Sequence, residues 1–470
     1  MLAPLRDRQA RARWALTALL AAAFLLGGSA RGDAWSLIVL RPLAALLAGF
    51  GCWQLEWRRV RGHRFVAIMA AAIIALVLIQ LVPLPFAVWS QLPGREQVVQ
   101  IDLIAGLGQI ARPFSLVPEA TLNAALSLLV PLAALVLGMQ LDLAGRAAVL
   151  PVVLGLTGLS ALMGLLQVLG DAGNALYLYD ITNPAAAVGL FANRNHQALL
   201  LAAALPMTAL WATCGGGTVR LTAGVVMVLG LIPLILITGS RAGAAAGLAA
   251  LLSLPLVMAR APLRDTSLPG RLGGLRAAPA ARYAIGAALV LAIAAVTIAL
   301  GRAEAWERLQ TAFQGEDLRF RIMPTLIQMF PEYWPVGPGV GSFEKIFQAR
   351  EPDALLSPVF MNHAHNDWIE AALTGGLPGI LLIGAAVVAT ATCSFKRFAS
   401  RAGRAAPDHL GRLGLIVICL IAMGSLTDYP LRTPLMQVVF VMAILWASCS
   451  MVQYETMTAT VGNRVERGRG

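Results

Sequence analysis

Apolar runs of near-bilayer length, recurring along the whole chain, restrict its fold more than any other feature. A hydrocarbon core of about 30 Å takes roughly 20 apolar residues per helix. Twelve such runs lie at about 14–31, 35–54, 65–83, 121–140, 147–169, 196–213, 221–238, 242–259, 283–301, 376–394, 413–427 and 434–452. In lipid every backbone N–H and C=O must find a partner within its own segment, so these runs are predicted as helices. The chain of 470 residues is only 13% charged and 58% hydrophobic, whereas about a quarter of a soluble domain is charged. The expectation is an all-α polytopic membrane protein with about twelve transmembrane helices. The first run lacks an A-x-A-like cleavage site and is read as a retained span, not a signal peptide.

The net charge of +12, from 36 Lys+Arg against 24 Asp+Glu, would suit a nucleic-acid partner, but its distribution argues otherwise. An even number of spans puts both termini on one side, and Arg6, Arg8, Arg11 and Arg13 make that side cytoplasmic. Every later basic cluster (Arg58 to Arg64, Arg260 to Arg282, Lys396 to Arg412, Arg464 to Arg469) then falls inside as well. The excess is a topology signal rather than a nucleic-acid footprint. The five cysteines lie in or beside apolar runs without metal-ligand spacing, so neither a disulfide framework nor a zinc site is expected.

Three long segments remain on the outer side: 84–120, 170–195 and 302–375. The first carries Trp89, read as an aromatic at the membrane interface. The third, between helices nine and ten, has the length of a functional lid or binding loop. A helix is expected around Arg319 to Phe330, and a turn at Pro335-Val-Gly-Pro-Gly-Val-Gly341.

That loop leads into Asn362-His-Ala-His-Asn-Asp-Trp-Ile-Glu370, a polar cluster at the mouth of an apolar run. Ionisable groups at the membrane edge are costly and mark a functional-site hypothesis. His363 and His365 serve either loop hydrogen bonding or general-base chemistry near neutral pH. A His-x-His pair with one nearby carboxylate is a thin ligand set, so no metal is assigned. A helix starting near Asn366 puts that residue and Glu370 on one face, where Glu370 orients His365 or binds substrate. Asn193, Asn195 and His196 open the sixth span, as caps or as sugar contacts. Arg241 stands in a tight outer turn, directed at lipid headgroups or into a cavity. The small residues after it invite close helix approach. Arg319 and Arg321 are solvated loop arginines or a bidentate diphosphate clamp. Asp428 and Arg432, in another tight turn, form a local ion pair on the simplest reading. On this topology all of these residues share the outer face.

In this order the motifs resemble the O-antigen ligase family of bacterial inner-membrane proteins, which also contains O-antigen polymerases and protein O-oligosaccharyltransferases. The resemblance covers roughly residues 85–435, with a core at 121–435. It rests on Phe191-Ala-Asn-Arg-Asn-His196, Thr238-Gly-Ser-Arg-Ala-Gly243, the arginine-led stretch from Arg319 to Phe343, and Asn362 to Glu370 followed by Gly375-Gly-Leu-Pro-Gly379. Two details depart from the family pattern: Met323 stands where a tryptophan is frequent, and the turn reads Ser-Arg-Ala-Gly instead of Ser-Arg-Gly.

The resemblance implies a multi-pass inner-membrane enzyme with cytoplasmic termini and a periplasmic active face. It implies metal-independent, cofactor-free, inverting transfer of a glycan from undecaprenyl diphosphate to an acceptor hydroxyl, with lipid A–core or a growing glycan as the acceptor. Arg241 and Arg319 would neutralise the diphosphate, with Arg321 beside them. His365 would be the favoured base and His363 the second. Asn366, Glu370, Asn193, Asn195, His196 and Arg432 would position substrate. Polymerase and protein-glycosylating members are not separated by these motifs. A lipid transporter or flippase is the reading from another class; transporters place polar groups at broken helices near the midplane, whereas here they sit at span ends.

Overall fold

A computed structural model describes residues 2–170, 174–213, 218–258, 318–356, 361–399 and 408–448. The principal helices are α1 (Leu2–Leu26), α2 (Leu37–Gln54), α3 (Arg64–Ile79), α4 (Pro118–Met139), α5 (Leu143–Leu169), α6 (Arg194–Thr213), α7 (Thr218–Ile237), α8 (Arg241–Met258), α9 (Leu318–Tyr333), α10 (Asp367–Ser394), α11 (His409–Gly424) and α12 (Pro434–Ser448). Two short strands, β1 (Pro83–Leu84) and β2 (Arg112–Pro113), pair antiparallel. Each predicted run except 283–301 coincides with a helix. That run, Cys214 and Cys449 lie outside the described residues. Among the described residues, six helices (α2, α4, α5, α7, α8 and α10) are long and apolar enough to cross a membrane, and α3, α11 and α12 are shorter apolar helices. Among the described residues, Cys52 and Cys419 carry free thiols.

Polar residues placed just ahead of apolar runs start several of these helices, as a side-chain oxygen can satisfy one of the orphaned N–H groups of a first turn. Asp142 accepts from the Gly145 amide at 2.7 Å, Ser240 from Gly243 at 2.9 Å, Asn366 from Ile369 at 3.0 Å and Asp408 from Gly411 at 3.0 Å. Helix α10 therefore begins at Asp367, ahead of the apolar run at 376. It is broken at Gly376, whose φ of 59° and ψ of −152° are open only to glycine.

Helix α6 is the axis of the core, buried almost continuously from His196 to Thr208. It packs against α5, α7, α8 and α11. Small residues permit the closest of these approaches: a Cβ added at Gly243 of α8 would overlap that of Ala198. Helices α1, α2 and α4 complete the same apolar core.

A second apolar cluster forms a separate layer. Ile322, Leu326, Met329 and Tyr333 of α9 pack there with Phe343, Phe347, Met361, Ala364 and Leu373. The glycine-rich turn docks onto segment 84–120: Arg95, fully buried, donates to the carbonyls of Pro93 (2.6 Å), Phe114 (2.8 Å) and Gly337 (3.1 Å). Burial alone pulls its guanidinium down to about 10. Gly337, Gly339 and Gly341 all have positive φ and approach the backbone or side chains of Thr374, Ser115 and Ala120, so side chains are excluded there. Trp89 is also claimed by this layer. It is 1% exposed and donates from Nε1 to the Pro113 carbonyl at 2.8 Å. It is not an interface aromatic, because the hairpin gives its N–H a partner inside the protein.

Candidate active site

The histidine loop is folded by its own first helical turn. Asn366 caps α10, and the acidic residues of the first turn, Asp367 and Glu370, are favoured by the helix dipole. Glu370 reaches back to accept from the Ala364 amide at 2.9 Å and contacts His363 Nδ1 at 3.1 Å. His365 has φ = +50°. A non-glycine residue in the left-handed region is uncommon, and such strain persists where the surroundings over-determine it. The bend sends the two rings to different carboxylates. His365 Nδ1 lies 3.3 Å from Asp428 Oδ1. Glu370 is thus the partner of His363, and the expectation that it orients His365 is corrected.

Asp428 and Arg432, in the turn between α11 and α12, form the opposing wall. They do not pair with each other in the way their spacing suggests. Asp428 Oδ2 accepts from Asn195 Nδ2 at 2.6 Å and from Asn193 Nδ2 at 3.1 Å, and His196 Nε2 stands 3.8 Å from Oδ1. Arg432 instead contacts Asp367 Oδ1 through Nε at 3.3 Å and Glu370 Oε1 through Nη2 at 3.2 Å. Asp367 also accepts from Ser425 Oγ at 3.1 Å and from the Leu431 amide at 3.2 Å, so the start of α10 is zipped to this turn. Tyr429 is the hub. Its ring centroid lies 4.4 Å from that of His363, 5.0 Å from His365 and 5.3 Å from His196.

The charges of the turn follow from these contacts. Burial disfavours an ionised Asp428, yet the His196 and His365 rings hold it well below the usual carboxylate range. Burial likewise opposes the Arg432 charge, but Glu370 and Asp367 outweigh it and raise its pKa. Burial, reinforced by Asp428, pushes the Tyr429 phenol up, so it stays neutral. The arrangement offers two histidine–carboxylate pairs on one tyrosine ring, each able to hold an imidazole with one nitrogen engaged. Glu370 is shared between His363 and Arg432, which divides its pull on that ring. Among the described residues no three His, Cys, Asp or Glu side chains converge where a metal ion could sit.

Of the sequence-predicted residues, the structure gathers Asn193, Asn195, His196, His363, His365, Glu370 and Arg432. Asn193 also caps, accepting from the Asn195 amide at 2.8 Å. Asn366 is occupied as a cap and donates to the Leu426 carbonyl at 3.0 Å. Arg241 is exposed as the first residue of α8. Its turn adjoins the start of α6, since a Cβ at Gly239 would lie 3.5 Å from Arg194 Nη1. Arg319 is in the first turn of α9, and its side chain lies outside the described part. Arg321 is exposed and donates to the Ala354 carbonyl at 2.9 Å. Next to it, Ile322 belongs to the same apolar cluster as Ala364, the residue between the two histidines. Sequence reasoning missed Tyr429, and Asp428 as the partner of His365. The available signal was a carboxylate and an aromatic in a very short turn between two apolar runs.

An apolar cavity of about 1140 Å³ opens at the site. Asn362, His363, Asp367 and Arg432 line its polar end, and His365 is not among the lining residues. Residues 225–384 match the family model described as O-Antigen ligase. The match takes in Arg241, α9, the glycine turn and the histidine loop, and it stops short of Asp428 and Tyr429. No curated protein matches the chain.

Proposed function

From the match of residues 225–384 to the O-antigen ligase family model, we propose that the chain is a member of that family and carries out metal-independent, inverting glycan transfer from undecaprenyl diphosphate to an acceptor hydroxyl, foremost that of lipid A–core. The bond formed joins the acceptor oxygen to the anomeric carbon, and the bond broken joins that carbon to the diphosphate. The hydroxyl proton passes to His365, whose Nδ1 faces Asp428 Oδ1 at 3.3 Å, so Nε2 is the nitrogen that accepts. Negative charge grows on the departing diphosphate, where Arg241 and Arg319 neutralise it. Asn193, Asn195 and His196 hold Asp428 in place. His363, with Glu370 and Arg432, positions the acceptor at the cavity mouth, and Arg321 secures the loop that carries Arg319. The reaction takes place on the periplasmic face of the inner membrane, with both termini in the cytoplasm.

The observation that carries this reading is the pair of histidine–carboxylate contacts around Tyr429 at the end of an apolar cavity. The test is transfer of a lipid-linked glycan to lipid A–core by purified full-length protein in vesicles. His365→Ala is expected to lower the rate by about 10²–10⁴, the worth of a general base. Arg319→Ala and Arg241→Ala should also lower it. Wild-type transfer by well-folded His365→Ala protein, with transfer lost in His363→Ala, would move the base to His363. Wild-type rates in all four would overturn the reading. Transfer to a lipid-linked repeat unit alone, with lipid A–core refused, would make the enzyme a polymerase.

A further inference from the structure

Among the described residues lining the cavity, one cation is taken up neither by the proposed reaction nor by a carboxylate. Arg41, in the second turn of α2, lines its polar end. Its Nη2 donates to Asn123 Oδ1 at 2.5 Å, while its Nε is buried with no partner among the described residues. The other arginines at this end are neutralised: Arg31 is bidentate to Asp33, at 2.9 and 2.6 Å, and Arg432 is held by Asp367 and Glu370. Glu119 and Glu344 line the same mouth. Among the described residues neither lies within ion-pair distance of Arg41. A guanidinium facing a cavity from a membrane helix, with a neutral amide as its partner, is an incomplete anion site. Asn123 is fixed in turn by the close approach of Gly32, where a Cβ would overlap its amide.

From this end the cavity runs along a single face of α10. Ala371 and Gly375 line it before the break at Gly376; beyond the break Gly379, Leu382, Ala386 and Thr390 lie on it at helical spacing, and the face continues to Ser394. From Gly379 to Ser394 the helical rise gives roughly 22 Å, more than half the depth of a bilayer's hydrocarbon layer, which is about 30 Å. An apolar groove of that length beneath one uncompensated guanidinium has the shape and charge of a site for a phosphorylated lipid.

We infer that this groove binds a membrane lipid whose tail lies along α10 and whose phosphate is held by Arg41 and Asn123. Its glycan then emerges past His363 and Arg432. Resting on the proposed reaction, in which Arg241 and Arg319 hold the donor, this lipid is the acceptor.

The test is binding by full-length protein in detergent micelles, read as an apparent Kd and as lipid retained in native mass spectrometry. The probes are lipid A, inorganic phosphate, diacylglycerol and undecaprenyl phosphate. Arg41→Gln is expected to weaken lipid A binding about tenfold or more, the worth of a charge-assisted hydrogen bond. Ala386→Trp, which fills the groove from an exposed helix face, should weaken it comparably, and Arg241→Ala should leave it unchanged. Inorganic phosphate should not displace lipid A, and diacylglycerol should bind as weakly to wild type as lipid A does to Arg41→Gln. An unchanged Kd in Arg41→Gln or Ala386→Trp overturns the site, and displacement by inorganic phosphate makes it a free-anion site instead. Arg41-dependent displacement of lipid A by undecaprenyl phosphate gives the groove to the donor and overturns the acceptor assignment. Arg41-dependent lipid A binding without any glycan transfer supports the lipid site and overturns the reaction.

Discussion

Replacing Asp428 by Asn tests the base assignment with almost no change of shape. In the wild type, Oδ2 takes both asparagine amides, at 2.6 and 3.1 Å, while Oδ1 accepts from the Tyr429 amide at 3.0 Å and faces His365 Nδ1 at 3.3 Å. Keeping its carbonyl toward the two asparagine amides retains two side-chain hydrogen bonds at the cost of the one from the Tyr429 amide, so the NH₂ stands where Oδ1 was, beside His365. An NH₂ only donates, and Nδ1 must then accept. The ring proton moves to Nε2, the nitrogen that has to be bare to take the hydroxyl proton. The expected loss is the whole contribution of a base, about 10²–10⁴ in rate, or about 3–5 kcal/mol of barrier. Single-turnover transfer, followed by gel mobility of the product, measures it. Thermal unfolding of the same samples shows that the fold is kept. The wild-type carboxylate does not imitate this variant at mildly acid pH. Its pKa is depressed, so its ionised form and the stability it contributes are lost only as pH falls through that low value. Transfer by Asp428→Asn within about threefold of wild type would refute the assignment, because a lost base is worth far more.

Two further outcomes concern the fold. His63 is held near pKa 4 by burial, then by Arg146 and Arg59, and its Nε2 lies 2.7 Å from Arg146 Nη2. The unfolded chain takes up a proton near pH 6.5 that the folded one refuses, so stability falls from there down to about pH 4, by about 3 kcal/mol. Unfolding in mixed micelles should show that fall in wild type and a smaller one in His63→Gln, while equal pH dependence would refute the origin assigned to it. Gly376→Ala places a Cβ against the Pro335 carbonyl at a φ of 59° that alanine rarely adopts. It should cost about 1–3 kcal/mol in the same assay, and an unchanged midpoint would show that the kink is not required.

The parts of this molecule legible in the sequence are those whose cause is local. Apolar runs become helices because lipid leaves the backbone no other partner, and the helix at α9 and the turn at 335–341 follow from their own residues. Even the early start of α10 was written locally, in Asn366 as a cap, although a polar first turn looks like loop. What escaped is pairing across distant segments. Trp89 has the composition of an interface aromatic until β2 supplies its carbonyl. Asp428 and Arg432 stand at the spacing of a local ion pair, yet each meets groups brought from elsewhere: Asn193, Asn195 and His365 for one, Asp367 and Glu370 for the other. The choice between the histidines was hidden for the same reason. Nothing in His-Ala-His says that the second residue turns left-handed, and that turn is what gives Glu370 to His363 and Asp428 to His365. The candidate residues are legible one by one at the ends of apolar runs; the division of labour between their two carboxylates is a property of the folded turn.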